Sequence, residues 1–128
     1  MRAVDTNILV RVFERDEPGR TALAESLLKG PDDIFVSSIV LCEFAWVLRS
    51  IYRRRRDEIA QTIRAMLDVD KLVMDREAVH SGLAVLEAGG DFSDGVVLHE
   101  SRRTRCTDLV TFDHDLVRIA SPEVALLS

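Results

Sequence analysis

Hydrophobic and polar residues alternate along the chain in a pattern that predicts short buried strands separated by helices. Brief apolar runs such as RAV, IFV and KLVM are strand-like, whereas the longer segments between them repeat with a helical period. The predicted strands cover 2–4, 34–36, 71–74, 108–112 and 123–127. The predicted helices begin at 7 and then cover 18–29, 39–52, 57–68, 76–89 and 91–105. Strands that alternate with helices predict an α/β fold whose parallel sheet is covered on both faces.

Residues at the ends of these elements support the boundaries. Pro18 suits the first turn of a helix, and Gly30 suits its end. Ser37 or Ser38 is suited to cap the helix that follows the second strand. No linker, repeat or low-complexity segment divides the sequence, so residues 1–128 are expected to form one domain.

Acidic residues collect where predicted strands end. Asp5 follows the first strand, and Asp113 follows the fourth strand two residues after Thr111. Asp91 and Asp94 open a helix directly after a pair of glycines. Ligands of parallel sheets bind beyond the carboxyl ends of the strands, so this distribution predicts a site at that edge.

Glu43 is the fourth candidate in this group. Its neighbours three and four positions away on a helix are Ile39, Val40, Trp46 and Val47, all of which are apolar. The pattern therefore assigns Glu43 to an apolar stripe, where a carboxylate needs a partner or a proton. Trp46 and the five phenylalanines are large apolar residues and are most simply assigned to the core.

Each acid also has a purely structural explanation. A helix cap would explain Asp5, Asn7 or Asp91, the last with Asp94 in the first turn of the same helix. An Asx turn would explain Asp113, and an ion pair with the arginine run 53–56 would explain Glu43. Four converging carboxylates, however, repel one another unless a cation lies among them. Hard oxygen ligands without histidine or cysteine indicate Mg²⁺, with Mn²⁺ as a substitute.

Composition and charge limit the function classes. The net charge of -5 argues against a nucleic-acid partner, but residues 49–64 carry six arginines against two acids. That segment is either a phosphate contact or a solvated helix end. No apolar stretch reaches the ~20 residues of a membrane span. Cys42 and Cys106 match no metal or redox spacing, so a cytoplasmic protein without a membrane partner is expected.

Four segments in series resemble the motifs of PIN-domain ribonucleases. They are VDTNILVR, SSIVLCEFAWVLRSIY, DFSDGVVLHE and CTDLVTFDHDL, and together they extend over essentially the whole chain. Their order and spacing resemble the VapC toxins of type II toxin–antitoxin systems. The resemblance implies a three-layer α/β/α sandwich with strand order 3-2-1-4-5.

The resemblance also implies a Mg²⁺-dependent endoribonuclease. The acidic quartet of the family falls on Asp5, Glu43, Asp94 and Asp113, as catalytic residues and metal ligands, and its supporting polar positions fall on Thr6, Asn7 and Thr111. Gly95 departs from the usual alanine of the family, which is expected to weaken that helix by ~1 kcal/mol.

The implied partners are an RNA substrate, a cognate antitoxin protein and a second copy of the chain. The basic segment supplies candidate RNA contacts, namely Arg53, Arg54, Arg55 and Arg56. Leu23, Leu27 and Leu28 are candidates to receive an amphipathic antitoxin segment, or are core residues. The alternative to a nuclease is a non-catalytic module whose acidic pocket only docks an arginine-bearing partner peptide.

Overall fold

The computed structural model describes all 128 residues and contains seven helices and five short strands. The helices are α1 (Thr6–Glu14), α2 (Pro18–Lys29), α3 (Ser38–Ser50), α4 (Arg56–Leu67), α5 (Arg76–Glu87), α6 (Phe92–Arg103) and α7 (His114–Ala120). The strands are β1 (Arg2–Ala3), β2 (Ile34–Phe35), β3 (Leu72–Val73), β4 (Leu109–Thr111) and β5 (Val124–Leu126). Every predicted strand and helix is therefore present, with boundaries that differ by a few residues.

The strands form two separate parallel sheets. The first has the order β1-β2-β3, in which Ala3 is aligned with Phe35 and Phe35 with Val73. The second joins only β4 and β5, with Val110 aligned with Ala125. The expected order 3-2-1-4-5 is not confirmed, because β1 and β4 are not paired. β1 has only two residues, both exposed, so it offers few backbone groups to a second neighbour.

Helix α7 was not predicted from the sequence. It has seven residues, which is too short for a helical period to be recognised between two strands. Asp113 caps it, and Leu116 is its buried residue. Leu116 belongs to a small apolar cluster that holds the second sheet against α5 and α6, formed with Val85, Leu98 and Val124.

The main core lies between the first sheet and the helices around it and contains 21 buried residues. Helix α3 contributes the face that carries Leu41, Phe44, Ala45 and Leu48. The assignment of Trp46 to the core is wrong, because this face turns Trp46 outward and leaves it 63% exposed. Three of the five phenylalanines are also exposed, namely Phe13, Phe35 and Phe112.

The remaining sequence expectations concern the two cysteines and membrane-spanning segments. Cys42 and Cys106 are both free thiols. None of the seven helices combines the length and the apolar composition that crossing a bilayer would require.

Helices α5 and α6 cross so closely that glycine is required at position 95. A Cβ atom on Gly95 would lie 2.3 Å from the carbonyl oxygen of Ser81 and 2.5 Å from the Cα of Gly82. The Ser81 hydroxyl donates a hydrogen bond of 2.6 Å to the Gly95 carbonyl. On the other side of the crossing, the Phe92 ring occupies the space of a Cβ on Gly82. The expected weakening of α6 by Gly95 is thus offset by close helix packing.

This crossing predicts that Gly95→Ala destabilises the protein despite the higher helix propensity of alanine. The new methyl group would meet backbone atoms rather than a flexible side chain, so we expect a loss of about 1–3 kcal/mol in the free energy of unfolding. Chemical denaturation measures the change. Gly19→Ala is the matched control, because Gly19 lies in α2 with nothing within 4 Å of its Cβ position. The control should be neutral or stabilising by up to about 1 kcal/mol, and equal behaviour of the two variants would contradict the predicted clash.

Candidate functional site

Asp5 lies two residues after the end of β1 and is the N-cap of α1. Its Oδ1 accepts a hydrogen bond of 2.7 Å from the Thr6 backbone N–H. The structural explanation for Asp5 is therefore confirmed, whereas the same explanation for Asn7 is wrong, because Asn7 lies inside the helix. A carboxylate has a second oxygen, and Oδ2 of Asp5 makes no protein hydrogen bond. The cap and a ligand role are compatible.

Glu43 is joined to the start of α1 through Thr6. The buried Thr6 hydroxyl donates a hydrogen bond of 3.2 Å to Oε2 of Glu43. Glu43 itself is exposed, so its assignment to an apolar stripe is wrong for the same reason as that of Trp46. Burial, followed by the charges of Glu100 and Glu43, raises the pKa of the Cys42 thiol to about 11. Helices α3 and α6 thus bring carboxylates to one neighbourhood.

Asp113 follows β4 and caps α7. Its Oδ1 accepts hydrogen bonds from the backbone N–H groups of Asp115 at 2.9 Å and Leu116 at 3.2 Å. The Asp113 N–H in turn donates to the Thr111 hydroxyl at 3.0 Å. Thr111 therefore fixes the backbone of Asp113, and Oδ2 of Asp113 makes no protein hydrogen bond.

Asp94 lies in the first turn of α6 and is partly buried. Burial raises the pKa of its carboxyl group, and the charges of Asp91 and Asp113 raise it further. Asp91 occupies the N-cap position of α6, but its side chain makes no capping hydrogen bond. The predicted side-chain cap by Asp91 is therefore wrong, and Asp94 has the like charges of Asp91 and Asp113 beside it.

The acids thus form two groups, Asp94 with Asp91 and Asp113, and Asp5 with Glu43 through Thr6. No three side chains of His, Cys, Asp or Glu lie close enough together to hold a metal ion by themselves. Mg²⁺, however, keeps several waters and commonly binds proteins through one or two carboxylates. The raised pKa of Asp94 and the free Oδ2 atoms fit a hydrated divalent cation of this kind.

The arginine run 53–56 is divided by the fold. Arg54 forms a two-pronged ion pair with Glu14, whose side chain is only 6% exposed, and Arg55 pairs with Asp57. Arg53 has a left-handed backbone with a φ of 55°. Arg56 donates from Nε to the Gly90 carbonyl at 3.2 Å. None of the four pairs with Glu43, so the predicted ion pair between Glu43 and this run is not formed.

A cavity that the sequence did not reveal lies beside the acids. It has a volume of about 280 Å³ between α3 and the first residues of α4 and α6, and its walls include Trp46, Arg49, Arg56, Asp91 and Ser93. Arg49 lies three residues after Trp46 on α3, a spacing that places both on one helix face. That spacing is the signal by which the sequence could have indicated the pair.

Comparison with models of protein families gives a match over most of the chain. The model of the family described as PIN domain matches residues 2–122. No curated protein matches the chain. The match covers the four motifs and both groups of acids.

The repulsion around Asp94 predicts that Asp94→Asn stabilises the metal-free protein near neutral pH. Folding raises the pKa of Asp94 above its ordinary value of 3.8, so its charged form opposes folding whenever the pH exceeds the folded pKa. The stabilisation should shrink as the pH falls through the folded pKa and should vanish below the ordinary value. Thermal unfolding in EDTA across this pH range measures it. Glu77→Gln is the control, since it removes an exposed acid from the first turn of α5. A gain in stability of Asp94→Asn that does not depend on pH would contradict the prediction.

Proposed function

The chain belongs to the PIN domain family, and on that premise we propose that it is a divalent-metal-dependent endoribonuclease that acts as the toxin of a toxin–antitoxin pair. PIN domains are generally nucleases and generally depend on divalent metals. The parts of the proposal that go beyond the family match are the RNA substrate, the identity of the ion and the role as a toxin. It is supported by the four-motif resemblance to VapC toxins and by the electrostatics of the acids.

The observation that carries the proposal is the partly buried position of Asp94, whose pKa is raised first by burial and then by the charges of Asp91 and Asp113. Ionisation of such a carboxyl group is unfavourable on its own and becomes favourable once a cation is bound beside it. Asp5 and Asp113 each hold one oxygen in a helix cap and have the other available. The site therefore has the charge and the free donors that a hydrated Mg²⁺ or Mn²⁺ requires.

Each acid has a distinct part in this proposal. Asp5 and Asp94 are the first direct ligands, and Asp113 and Glu43 complete the set directly or through waters. Thr111 orients Asp113, Thr6 orients Glu43, and Asn7 is assigned the same supporting role as in the family. A bound divalent ion would supply the positive charge that lowers the pKa of an attacking water and stabilises the leaving 3′-oxygen. The products would carry 5′-phosphate and 3′-hydroxyl ends.

The substrate contact is proposed to come from the basic segment around α4. Arg54 and Arg55 already have carboxylate partners, which reduces the charge that they can offer to a phosphate. Arg53 and Arg56 have no carboxylate partner and keep their charge. We therefore assign the main phosphate contact of the predicted run 53–56 to these two residues.

The partners in this proposal are an antitoxin and a second copy of the chain. A groove between α1 and α2 is lined by Ile8, Arg11, Leu23 and Leu27, and Leu23 is 74% exposed. An amphipathic segment of the antitoxin is proposed to lie in this groove. Leu28 does not line this groove and is less suited to this role. The homodimer rests on the family resemblance.

The first experiment combines metal binding with cleavage. Mg²⁺ should raise the unfolding temperature of the native protein because it binds the folded state preferentially. Asp94→Asn should reduce this shift and abolish RNA cleavage, while Asp70→Asn, in an exposed turn, should change neither. Differential scanning calorimetry and a gel assay with 5′-end analysis provide the two measurements. A Mg²⁺ shift without cleavage would favour a docking module, and an equal shift in all variants would place the ion elsewhere.

The second experiment concerns inhibition by the proposed antitoxin. We expect its carboxy-terminal segment to place an arginine among the carboxylates, because a guanidinium offers a fixed fork of donors and remains charged. Arg→Ala variants of that segment should lose inhibition, most clearly at high Mg²⁺ concentration, where the ion competes. Equal inhibition by these variants across a Mg²⁺ titration would indicate that the antitoxin acts by blocking RNA access.

A further inference from the structure

Trp46 has an unusual position for the largest apolar side chain of the protein. It is the only tryptophan, it is 63% exposed, and it stacks on no other aromatic ring. An exposed indole offers a large rigid surface for recognition at little conformational cost. The side chain is not needed for the core, because the opposite face of α3 supplies it. A ligand or a partner is therefore expected to cover this ring.

The cavity beside Trp46 has the size and the mixed polarity of a small-molecule site. Its volume of about 280 Å³ is close to the lower limit of ordinary ligand pockets, roughly 300 Å³. Phe92, Ile59 and Leu86 provide apolar walls. This volume suits one flat ring system with its substituents rather than a folded segment of a polymer.

Two arginines carry uncompensated charge at the cavity. The Arg49 guanidinium donates to the Arg54 backbone carbonyl at 3.2 Å, and that of Arg56 donates to the Gly90 carbonyl. Neither is paired with a carboxylate, in contrast to Arg54 and Arg55. Carbonyl hydrogen bonds hold a guanidinium in position and leave its charge available, which suits contact with a phosphate.

The cavity also contains a hydrogen-bond acceptor of the opposite charge. The Asp91 carboxylate lines it and makes no capping hydrogen bond. A bare phosphate would be repelled by Asp91, whereas the amino group of a nucleobase would donate to it. An aromatic wall, a carboxylate acceptor and two rim guanidiniums together fit an unpaired base with its flanking phosphates.

The cavity adjoins the acids assigned to catalysis. Trp46 is three residues from Glu43 on α3, less than one helical turn away, and Asp91 is three residues from Asp94 on α6. A nucleotide held in the cavity would therefore have its phosphodiester next to the carboxylates. The cavity walls formed by α3 and by the start of α6 therefore adjoin the proposed reaction site.

We propose that this cavity binds one unpaired nucleobase of the RNA substrate, stacked on Trp46, while Arg49 and Arg56 contact the adjoining phosphates. The proposal rests on the proposed nuclease function, since it names the substrate subsite of the same reaction. Trp46 and Arg49 become specificity-determining residues outside the acidic quartet. The base that fits best would be set by its stacking and by its amino group toward Asp91.

Trp46 itself reports binding, because it is the only tryptophan in the chain. A short single-stranded oligoribonucleotide of mixed sequence, titrated in EDTA so that no cleavage occurs, should quench its fluorescence. The same sugar–phosphate backbone without bases should bind weakly and leave the emission nearly unchanged. Quenching by both ligands to the same extent would overturn the stacking proposal.

Variants test the two parts of the subsite separately, with fluorescence anisotropy of a labelled oligoribonucleotide as the measurement. Trp46→Leu should weaken binding about 5- to 150-fold, the range expected for one stacked base, and Trp46→Phe should restore much of the affinity. The double variant Arg49→Gln and Arg56→Gln should lower the affinity and flatten its salt dependence. Val69→Ala and Arg102→Gln are the controls for an exposed apolar residue and for a paired arginine, and effects as large in them would overturn the assignment.

The outcomes separate this proposal from the proposed hydrolysis. RNA-dependent quenching without Mg²⁺-dependent cleavage supports the base subsite and counts against the nuclease. Cleavage with normal RNA affinity in Trp46→Leu supports the nuclease and overturns the subsite. If RNA leaves the emission unchanged while dilution of the protein alone shifts it, a second copy of the chain covers Trp46, and the subsite is wrong.

Discussion

The backbone contact between α5 and α6 determines where the candidate site lies. Gly95 approaches Ser81 and Gly82 so closely that no side chain fits between the helices, and the Phe92 ring closes the crossing at Gly82. These contacts fix the first turn of α6 and therefore the positions of Asp91 and Asp94. Arg56 is tied to the same region through the Gly90 carbonyl, so the start of α4 follows the start of α6. A single close crossing thus positions the repelled carboxylate, the cavity and one of its arginines.

Helix caps explain how the protein tolerates several carboxylates at one end of its sheets. Asp5 and Asp113 each accept backbone N–H groups at the start of a helix, where the helix dipole also favours negative charge. Asp94 is the third residue of its helix, where burial and then the charges of Asp91 and Asp113 raise the pKa of its carboxyl group. The fold therefore stabilises two carboxylates by helix caps, whereas the third is partly buried beside like charges. Capping uses one oxygen of Asp5 and of Asp113 and leaves the other free for the proposed ligand role.

Local signals in the sequence predicted much of this arrangement, and the errors have identifiable physical causes. Ser37 caps α3 as expected, Asp5 caps α1, and every predicted element is present, because caps and periodicity act over a few residues. Trp46 was assigned to the core because residue type suggested burial, whereas the helix face decides it. The separation of β4 and β5 from the first sheet and the pairing of Arg54 with Glu14 depend on contacts between distant segments, which no local pattern contains.

The division of the arginine run changes how an acidic protein is expected to bind RNA. A continuous patch of four free arginines would attract any nucleic acid through its phosphates, with affinity but little selectivity. In the fold, Glu14 and Asp57 neutralise Arg54 and Arg55, and the net charge of -5 further reduces non-specific attraction. The unpaired guanidiniums at the cavity are those of Arg49 and Arg56, and Trp46 supplies an aromatic wall there. In the proposed mode of binding, affinity would depend on a base that fills the cavity, because the weak electrostatic contribution alone would be insufficient. The ion pairs of Arg54 and Arg55 contribute little to stability. In this proposal they would reduce the general attraction for RNA, so that binding would require an unpaired base at the cleavage site.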